Sequence, residues 1–584
     1  MTKNKEALHT VQPGSYHATD SIGRRLPTAR EVGTPREGKF VGMFYWTWHG
    51  AFADHQYAYN TQKILDENPD LDPKDPDAPE WGKPFAYHFW NEPIYGYYSG
   101  TDEWVLRRQA ELLSDAGVDV IVFNNTNGTF TWLETALCLL HAFDQARKDG
   151  IHTPQIAFML PFIDPEANKT QLSELYKNIY QKNICPELWF QWEGKPLVLG
   201  LACAFDPTQP LEAEIRQFFT FRSCQPDYAA GQTAPNQWGW LCAHPQAVFR
   251  REDGSAEQMT VGVAQNRSFT TNRLAPMSGE DIMGRSYTSQ GYHTEENALL
   301  HGHNFAEQWE YALKQDPDFI FVTGWNEWVA QRLPEWEGVH NAFPDQYNDE
   351  YSRDIEPSKG RLKDVYYYQL CSYIRKFKGT AAQEPAGAQK RIDLNGDASQ
   401  WNDVSPRYAS AAGSTSPRHA YGYLDPATSK RICYLNNSGR NEIREAKVAD
   451  DDEFLYFTVC TAEALTDPNG ENWMRLLISA GGKDGWEGFD FIVNRLSPNK
   501  DGALLERFCG GWRFEPLARV PFSIQENRLT LQIPKHLLNL PCTGFSLDFK
   551  WMDHNLSDGD IMDAYTLGCA APAGRFTYCY KRKQ

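Results

Sequence analysis

Along the first 378 residues, short apolar runs alternate with segments in which apolar residues return every three or four positions. The first pattern predicts buried strands and the second amphipathic helices. Strands are predicted at 40–46 (FVGMFYW), 118–123, 156–160, 196–201, 238–241, 259–264 and 319–323, and helices at 101–116, 132–148, 171–181, 211–221, 304–314 and 365–376. Thr101 is placed to cap the first of these helices and Gly117 to end it. Seven readable strands alternating with helices, and an eighth expected among them, predict an α/β fold: a (β/α)8 TIM barrel over residues 40–378. A doubly wound sheet is the alternative, disfavoured because no G-x-G-x-x-G follows any strand. From residue 391 the pattern changes to short period-two runs at 454–460, 474–479, 489–493, 529–533 and 545–551 between turn signals. That predicts an antiparallel β-sandwich over 391–584. The small, polar stretch 379–390 (GTAAQEPAGAQK) reads as a linker, and 1–39 as an N-terminal extension. Residues 49–100 form a long insertion after the first strand, on the face where barrel enzymes place their chemistry.

Charge adds a location. The chain has 584 residues, with 57 Lys and Arg against 76 Asp and Glu, a net charge of −19. Before residue 385 the net is −17 and after it −2, so the acidity belongs to the barrel. Neither nucleic acid nor an anionic membrane is an expected partner, since both call for a basic surface. Mean hydropathy is −0.59 and no run of 18 apolar residues occurs, so no membrane span is expected. The 12 cysteines include no C-x-x-C pair, and MTKNKEALHT has no apolar leader, which together predict a cytoplasmic protein with reduced thiols.

Several chemistries drop out. No phosphate loop, no H-E-x-x-H and no G-x-S-x-G is present, so no cofactor and no metal is expected. His301 and His303 form an H-x-H with no third ligand evident in the sequence. Residues 393–404 start like a calcium loop, but Ala398 and Val404 stand where that loop needs Gly and Glu. What remains are carboxylates, amides and aromatics at strand ends. In FIFVTGWNEWVAQR (319–332) the strand ends at Thr323, placing Trp325, Asn326, Glu327 and Trp328 at the catalytic face. Tyr45, Trp46 and Trp48 emerge from the first strand, and His88, Trp90 and Glu92 lie in the insertion. Asn124, Asn125 and Asn127 follow the second strand, Asp164 the third, and Gln265 and Asn266 the sixth. Amides and carboxylates suit a hydroxyl-rich ligand, and the indoles of Trp46, Trp48, Trp90, Trp325 and Trp328 offer faces for sugar rings. A carbohydrate substrate is the expectation.

GWNEW (324–328), with the later IEP (355–357), resembles the endo-α-mannosidase-like glycoside hydrolases of family 99 and the related WbsX-like barrels. Their motif has the form N-E-W-x-E-G-x-x-[IL]-E-P. Here Ala330 stands at the second glutamate, and about twenty residues separate the two halves. The resemblance implies a (β/α)8 barrel cleaving α-linked glycosides with retention. It gives Glu327 the role of base on the sugar 2-hydroxyl, with a partner glutamate protonating the leaving oxygen. Reading back from IEP, Glu350 is the candidate for that displaced partner, Glu337 its rival, and Glu92 a further candidate. The C-terminal part resembles family 9 carbohydrate-binding modules, in which Trp401, Trp473, Trp486, Trp512 and Trp551 either stack on sugar or build the core. The leading expectation is a glycoside hydrolase using paired glutamates. The alternatives are a glycosyltransferase-associated barrel, for which no nucleotide-sugar site is visible, and a non-catalytic glycan-binding protein, motivated by Ala330.

Overall fold

The computed structural model describes residues 14–50, 56–482 and 485–583. Among them, eight parallel strands wind in sequence order: β1 (Phe40–Tyr45), β2 (Val120–Asn124), β3 (Gln155–Met159), β4 (Lys195–Leu199), β5 (Thr220–Cys224), β6 (Gln237–Trp238), β7 (Ala256–Gly262) and β8 (Phe319–Thr323). Backbone ladders join each neighbour from β1 to β6, then β7 to β8 and β8 back to β1. The sheet is thus a nearly closed, parallel-rich barrel. Strands β1, β2 and β8 are apolar without alternation because both faces are covered. Gly42 is required here: a Cβ on it would lie 2.4 Å from the Phe319 ring, which packs on Trp238 at 4.6 Å in the floor of the barrel.

The seam lies between β6 and β7, where no backbone ladder forms. The Gln258 side chain bridges it instead, accepting from Gly239 N at 3.0 Å and donating to Gly239 O at 2.8 Å. A fully buried carboxamide thus stands in for two ladder bonds.

Helices α1 (Glu103–Ala116), α2 (Leu133–Lys148), α3 (Pro165–Leu175), α4 (Pro210–Phe218), α5 (His303–Gln315) and α6 (Val365–Lys378) surround the barrel. Asp102, not Thr101, caps α1, accepting from Val105 N, and Gly117 ends it at φ +86°. The expected helix 211–221 stops at Phe218, and Thr220–Cys224 is the eighth strand. Its TFRSC sequence hides the strand because Arg222 turns inward, to an ion pair with Glu257 at 2.6 Å.

Beyond α6 the chain builds two antiparallel sheets. One orders Arg407–Ala409, Ile443–Asp450, Phe454–Thr461, Arg528–Pro534 and Phe522–Gln525; the other centres on Arg475–Ser479 and Phe545–Asp553. Tyr408 and Phe457 of the first meet Phe549 of the second at 5.0 and 5.6 Å. Trp401, Trp473 and Trp551 are buried, and Trp486 packs against Trp512 at 4.6 Å, so these indoles build core. No disulfide joins the twelve cysteines, and among the described residues no helix is long and apolar enough to cross a membrane.

Replacing Gln258 with Ala removes the partners of the buried Gly239 N–H and C=O. The expected cost is about 2–4 kcal/mol, read as a lower urea midpoint by near-UV circular dichroism. A cost under about 0.5 kcal/mol, the range of surface substitutions, would show that the seam closes without this side chain.

Candidate active site

The chain leaves β8 as Gly324-Trp325-Asn326-Glu327-Trp328. Trp325 N donates to Phe44 O at 2.9 Å, and the Asn326 carboxamide pairs with both backbone groups of Trp46, at 2.8 and 3.2 Å. Asn326 thereby prolongs the contact between β1 and β8 past the strand ends. Its own carbonyl is held by His49 Nε2 at 2.7 Å. A carbonyl only accepts, so Nε2 carries the proton and Nδ1 is the acceptor, facing Tyr423 Oη at 3.3 Å. Tyr423 Oη also accepts from Gly50 N at 3.0 Å. Burial holds His49 neutral, its pKa lowered to about 4.

A second segment, 352–357, crosses the end of β8. Gly324 N donates to Arg353 O, Ile355 N and Glu356 N both donate to Trp325 O, and Glu327 N donates to Asp354 Oδ1 at 2.6 Å. Three buried carboxyls result. Glu356 accepts from Gln109 Nε2 (2.6 Å), Tyr98 Oη (2.7 Å) and Trp328 Nε1 (2.6 Å), and burial raises it to about 7. Asp354 also accepts from Trp90 Nε1 at 2.7 Å, and burial raises it to about 6. Glu327 accepts from Arg353 Nη2 at 2.8 Å. Burial pushes Glu327 up to about 8; Arg353 pulls the other way, and Asp345 and Asp354 add to the rise.

Arg353 Nη2 reaches a fourth carboxylate, Asp345 Oδ1, at 3.3 Å. The Asp345 side chain is 41% exposed where that of Glu327 is 6%, so Asp345 is the solvent-facing member of the pair. Tyr228, from the loop after β5, lies in the electrostatic field of Arg353, Asp345 and Glu327, beside buried Asn266. Sequence reasoning missed Asp345 and Tyr228. Asp345 sits in the stretch between the two motif halves, and Tyr228 follows the strand that was not readable.

The indoles correct the expected sugar platform. Trp90 and Trp328 stack on each other at 4.7 Å and spend their N–H groups on Asp354 and Glu356. Trp325 is fully buried, 6.2 Å from the Tyr367 ring. None of these three has a face open to a sugar. Trp46 and Trp48 instead begin a stacked column: Trp46 on Trp48 at 4.1 Å, Trp48 on Trp132 at 5.0 Å, and Trp132 on Phe130 at 5.1 Å, with Phe130 57% exposed.

Other expected residues take structural work. His88 is buried between Trp81 O and Ala86 O, its pKa lowered by burial to about 3. Tyr45 is buried with its hydroxyl on Gln109 Oε1. Glu350 turns to Ser286, accepting from its N (2.7 Å) and Oγ (2.8 Å). Glu337 is exposed in the turn of the hairpin Leu333–Trp336/Val339–Ala342, which directs it to solvent. Glu92 is ion-paired with Lys359 at 2.5 Å. Asp164 caps α3 through Glu166 N and Ala167 N. Asn124 accepts from Thr126, Asn125 donates to Thr131 O, Asn127 is exposed, and Gln265 pairs with Asn304. Ala330, where the resemblance expects glutamate, is buried opposite His88 in a short antiparallel pairing of Val329–Gln331 with Tyr87–Phe89.

No protein-family profile and no curated protein matches the chain. Among solved structures, the family 99 endo-α-mannosidase of Bacteroides thetaiotaomicron in complex with BIS-TRIS-propane is similar at 15% identity and a TM-score of 0.32, over 58% of this chain and 96% of its own. A second structure of that enzyme gives 12% identity and a TM-score of 0.30, over 58% and 97%. A family 2 β-glucuronidase gives 11% and 0.25, over 80% of this chain and 47% of its own. At TM-scores this low the likenesses carry no argument about fold or chemistry.

Tyr423 belongs to the C-terminal hairpin Arg418–Leu424/Arg431–Asn436. Tyr423→Phe removes the partners of His49 Nδ1 and Gly50 N, at an expected cost of about 1–2 kcal/mol. The Asn326 carbonyl still holds the Nε2–H tautomer, so NMR of the His49 ring nitrogens should show Nδ1 shift as it loses its donor while Nε2 stays protonated. An unchanged Nδ1 shift and unchanged stability would reject the link.

Proposed function

We propose that the protein is a glycoside hydrolase acting on α-linked sugars, with Glu327 and Asp345 as its carboxyl pair. The observation that carries this reading is the one guanidinium nitrogen, Arg353 Nη2, that contacts both carboxyl groups. Because Arg353 Nη2 lies 2.8 Å from one oxygen and 3.3 Å from the other, those oxygens are at most about 6 Å apart, closer to the spacing of retaining than of inverting glycosidases. Such chemistry needs one protonated and one ionised carboxyl. Glu327, held near 8 by burial, keeps its proton at neutral pH and is the group that protonates the leaving oxygen. Asp345 takes the proton of the 2-hydroxyl, whose oxygen then closes on C1. This reverses the role that the sequence resemblance gives Glu327 and replaces Glu350 as its partner. Phe130, 57% exposed at the outer end of the column, offers an apolar face to the rest of an oligosaccharide, and the indoles stacked beneath it hold it in place.

A panel of α-linked aryl glycosides and oligosaccharides, with the first-formed product anomer read by NMR, tests the reaction. Retention is expected. Glu327→Gln and Asp345→Asn are each expected to lower kcat by about 10²–10⁴-fold with KM little changed. Wild-type protein that binds glycans from the panel but cleaves none would reject the hydrolase and leave a glycan-binding protein.

The pH dependence has a defined sign. Activity is expected to fall as pH rises through about 8, where Glu327 loses its proton. Its folded pKa lies above the ordinary carboxylate value, so its contribution to stability is complete at pH values below that ordinary range and is lost as pH rises through 8. Glu327→Gln should therefore gain stability relative to wild type between pH 5 and 9, as thermal melts across that range would show. A constant difference would reject the raised pKa.

A further inference from the structure

Among the described residues the barrel exposes the large apolar side chains Phe85, Phe130, Ile163, Phe269 and Leu274. All of them sit on connections that follow a barrel strand, at the catalytic face, and none on a helix or at the opposite end. Single exposed apolar residues are ordinary. Phe269 and Leu274 differ because they share one loop, and that loop also builds the proposed site.

The chain leaves β7 through buried Gln265 and Asn266 and turns back on itself. Arg267 and Leu274 pair across the neck of this turn, and Ala275 N returns to Asn266 O at 3.1 Å. Arg267 folds its guanidinium back on the turn, with Nε donating to Asn272 Oδ1 at 2.7 Å. Phe269 stacks on Tyr287 at 5.1 Å with the planes 13° apart, and Tyr292 packs edge-on beneath both. Two hydrogen bonds fasten the same loop to the segment that carries Asp345: Met277 N donates to Pro344 O at 3.2 Å, and Phe343 N to Ser278 Oγ at 3.0 Å.

Strand order then sets the two ends of the site. β8 pairs with β1 on one side and with β7 on the other. Glu327 follows β8, the stacked column from Trp46 to Phe130 follows β1 and β2, and Phe269 and Leu274 follow β7. A glycoside with its scissile bond at Glu327 and Asp345 therefore has one end toward the column and the other toward this hairpin. Aromatic faces suit sugar rings, but Leu274 has none to offer. Two side chains and a tyrosine are also too little surface for a protein, whose interface takes about 800 Å² per partner. A run of methylenes fits both limits.

We propose that the substrate is an amphiphilic α-glycoside whose sugar lies toward the column and whose aglycone, a long-chain alcohol, lies on Phe269, Leu274 and Tyr287. This rests on the reading of Glu327 and Asp345 as the site of cleavage. Hydrolysis leaves the hydroxyl of water on C1, and the departing oxygen takes a proton and leaves as the free alcohol.

The test is calorimetric titration of the full chain, carrying Glu327→Gln so that nothing is cleaved, with methyl, butyl and octyl α-D-glucopyranoside below their micelle concentrations. A methylene fully removed from water is worth about fourfold in affinity. On an open patch that covers half of it the factor is about twofold, so octyl is expected to bind about 10²-fold tighter than methyl. Phe269→Ser/Leu274→Ser should cut that ratio below tenfold, whereas Leu496→Ser, at an exposed leucine of the C-terminal sheets, should leave it intact. Turnover by the chain without Glu327→Gln should show the same dependence in kcat/KM. A ratio under about threefold, a ratio that survives the double variant, or an equal loss in Leu496→Ser would overturn the assignment. The ratio reads binding alone. A glycoside panel without turnover would thus reject the hydrolase and leave the patch, and turnover without chain-length dependence would reject the patch and leave the hydrolase.

Discussion

Three carboxyls and a guanidinium leave water together where the barrel ends, and the rest of the mouth is arranged around satisfying them. A buried carboxylate without donors costs several kcal/mol, so each must be met by fixed N–H or O–H groups. Glu356 is met by a tyrosine, a glutamine and an indole, Asp354 by an indole and the Glu327 amide, and Glu327 by Arg353. The tryptophans of this region are therefore donors first. Their position in the sequence, flanking Glu327, reflects that task as much as any contact with a ligand.

This clasp also joins two stretches that lie apart in the chain. Residues 329–354 separate WNEW from IEP, yet Trp328 binds Glu356 and Glu327 N binds Asp354. The two halves meet through side-chain and backbone hydrogen bonds across the end of β8, so the intervening chain is free to form a hairpin and to deliver Asp345 to Arg353.

The C-terminal sheets are not a separate appendage to this arrangement. Their hairpin sends Tyr423 to His49, Arg418 to an ion pair with Asp102 at the start of α1, and the Tyr434 hydroxyl to Tyr97 N. His49 in turn fixes the carbonyl next to Glu327. Two hydrogen bonds thus connect the second part of the chain to the residue beside the central carboxyl.

Periodicity alone determined the alternating barrel, its seven apolar strands, the antiparallel character of the last 190 or so residues, and Glu327 as the carboxylate at a strand end. These are local properties: strand burial and strand ends are written in consecutive residues. The eighth strand escaped because Arg222 breaks its apolar pattern, and the burial of Arg222 depends on Glu257, thirty-five residues away. The tertiary structure alone decided which tryptophans are buried, which carboxylate shares Arg353 with Glu327, and that His303 meets His293 and Glu295. Hydrogen-bond satisfaction in a buried site is a property of groups brought together from distant positions. No spacing along the chain encodes whether an indole N–H points at a sugar or at Asp354.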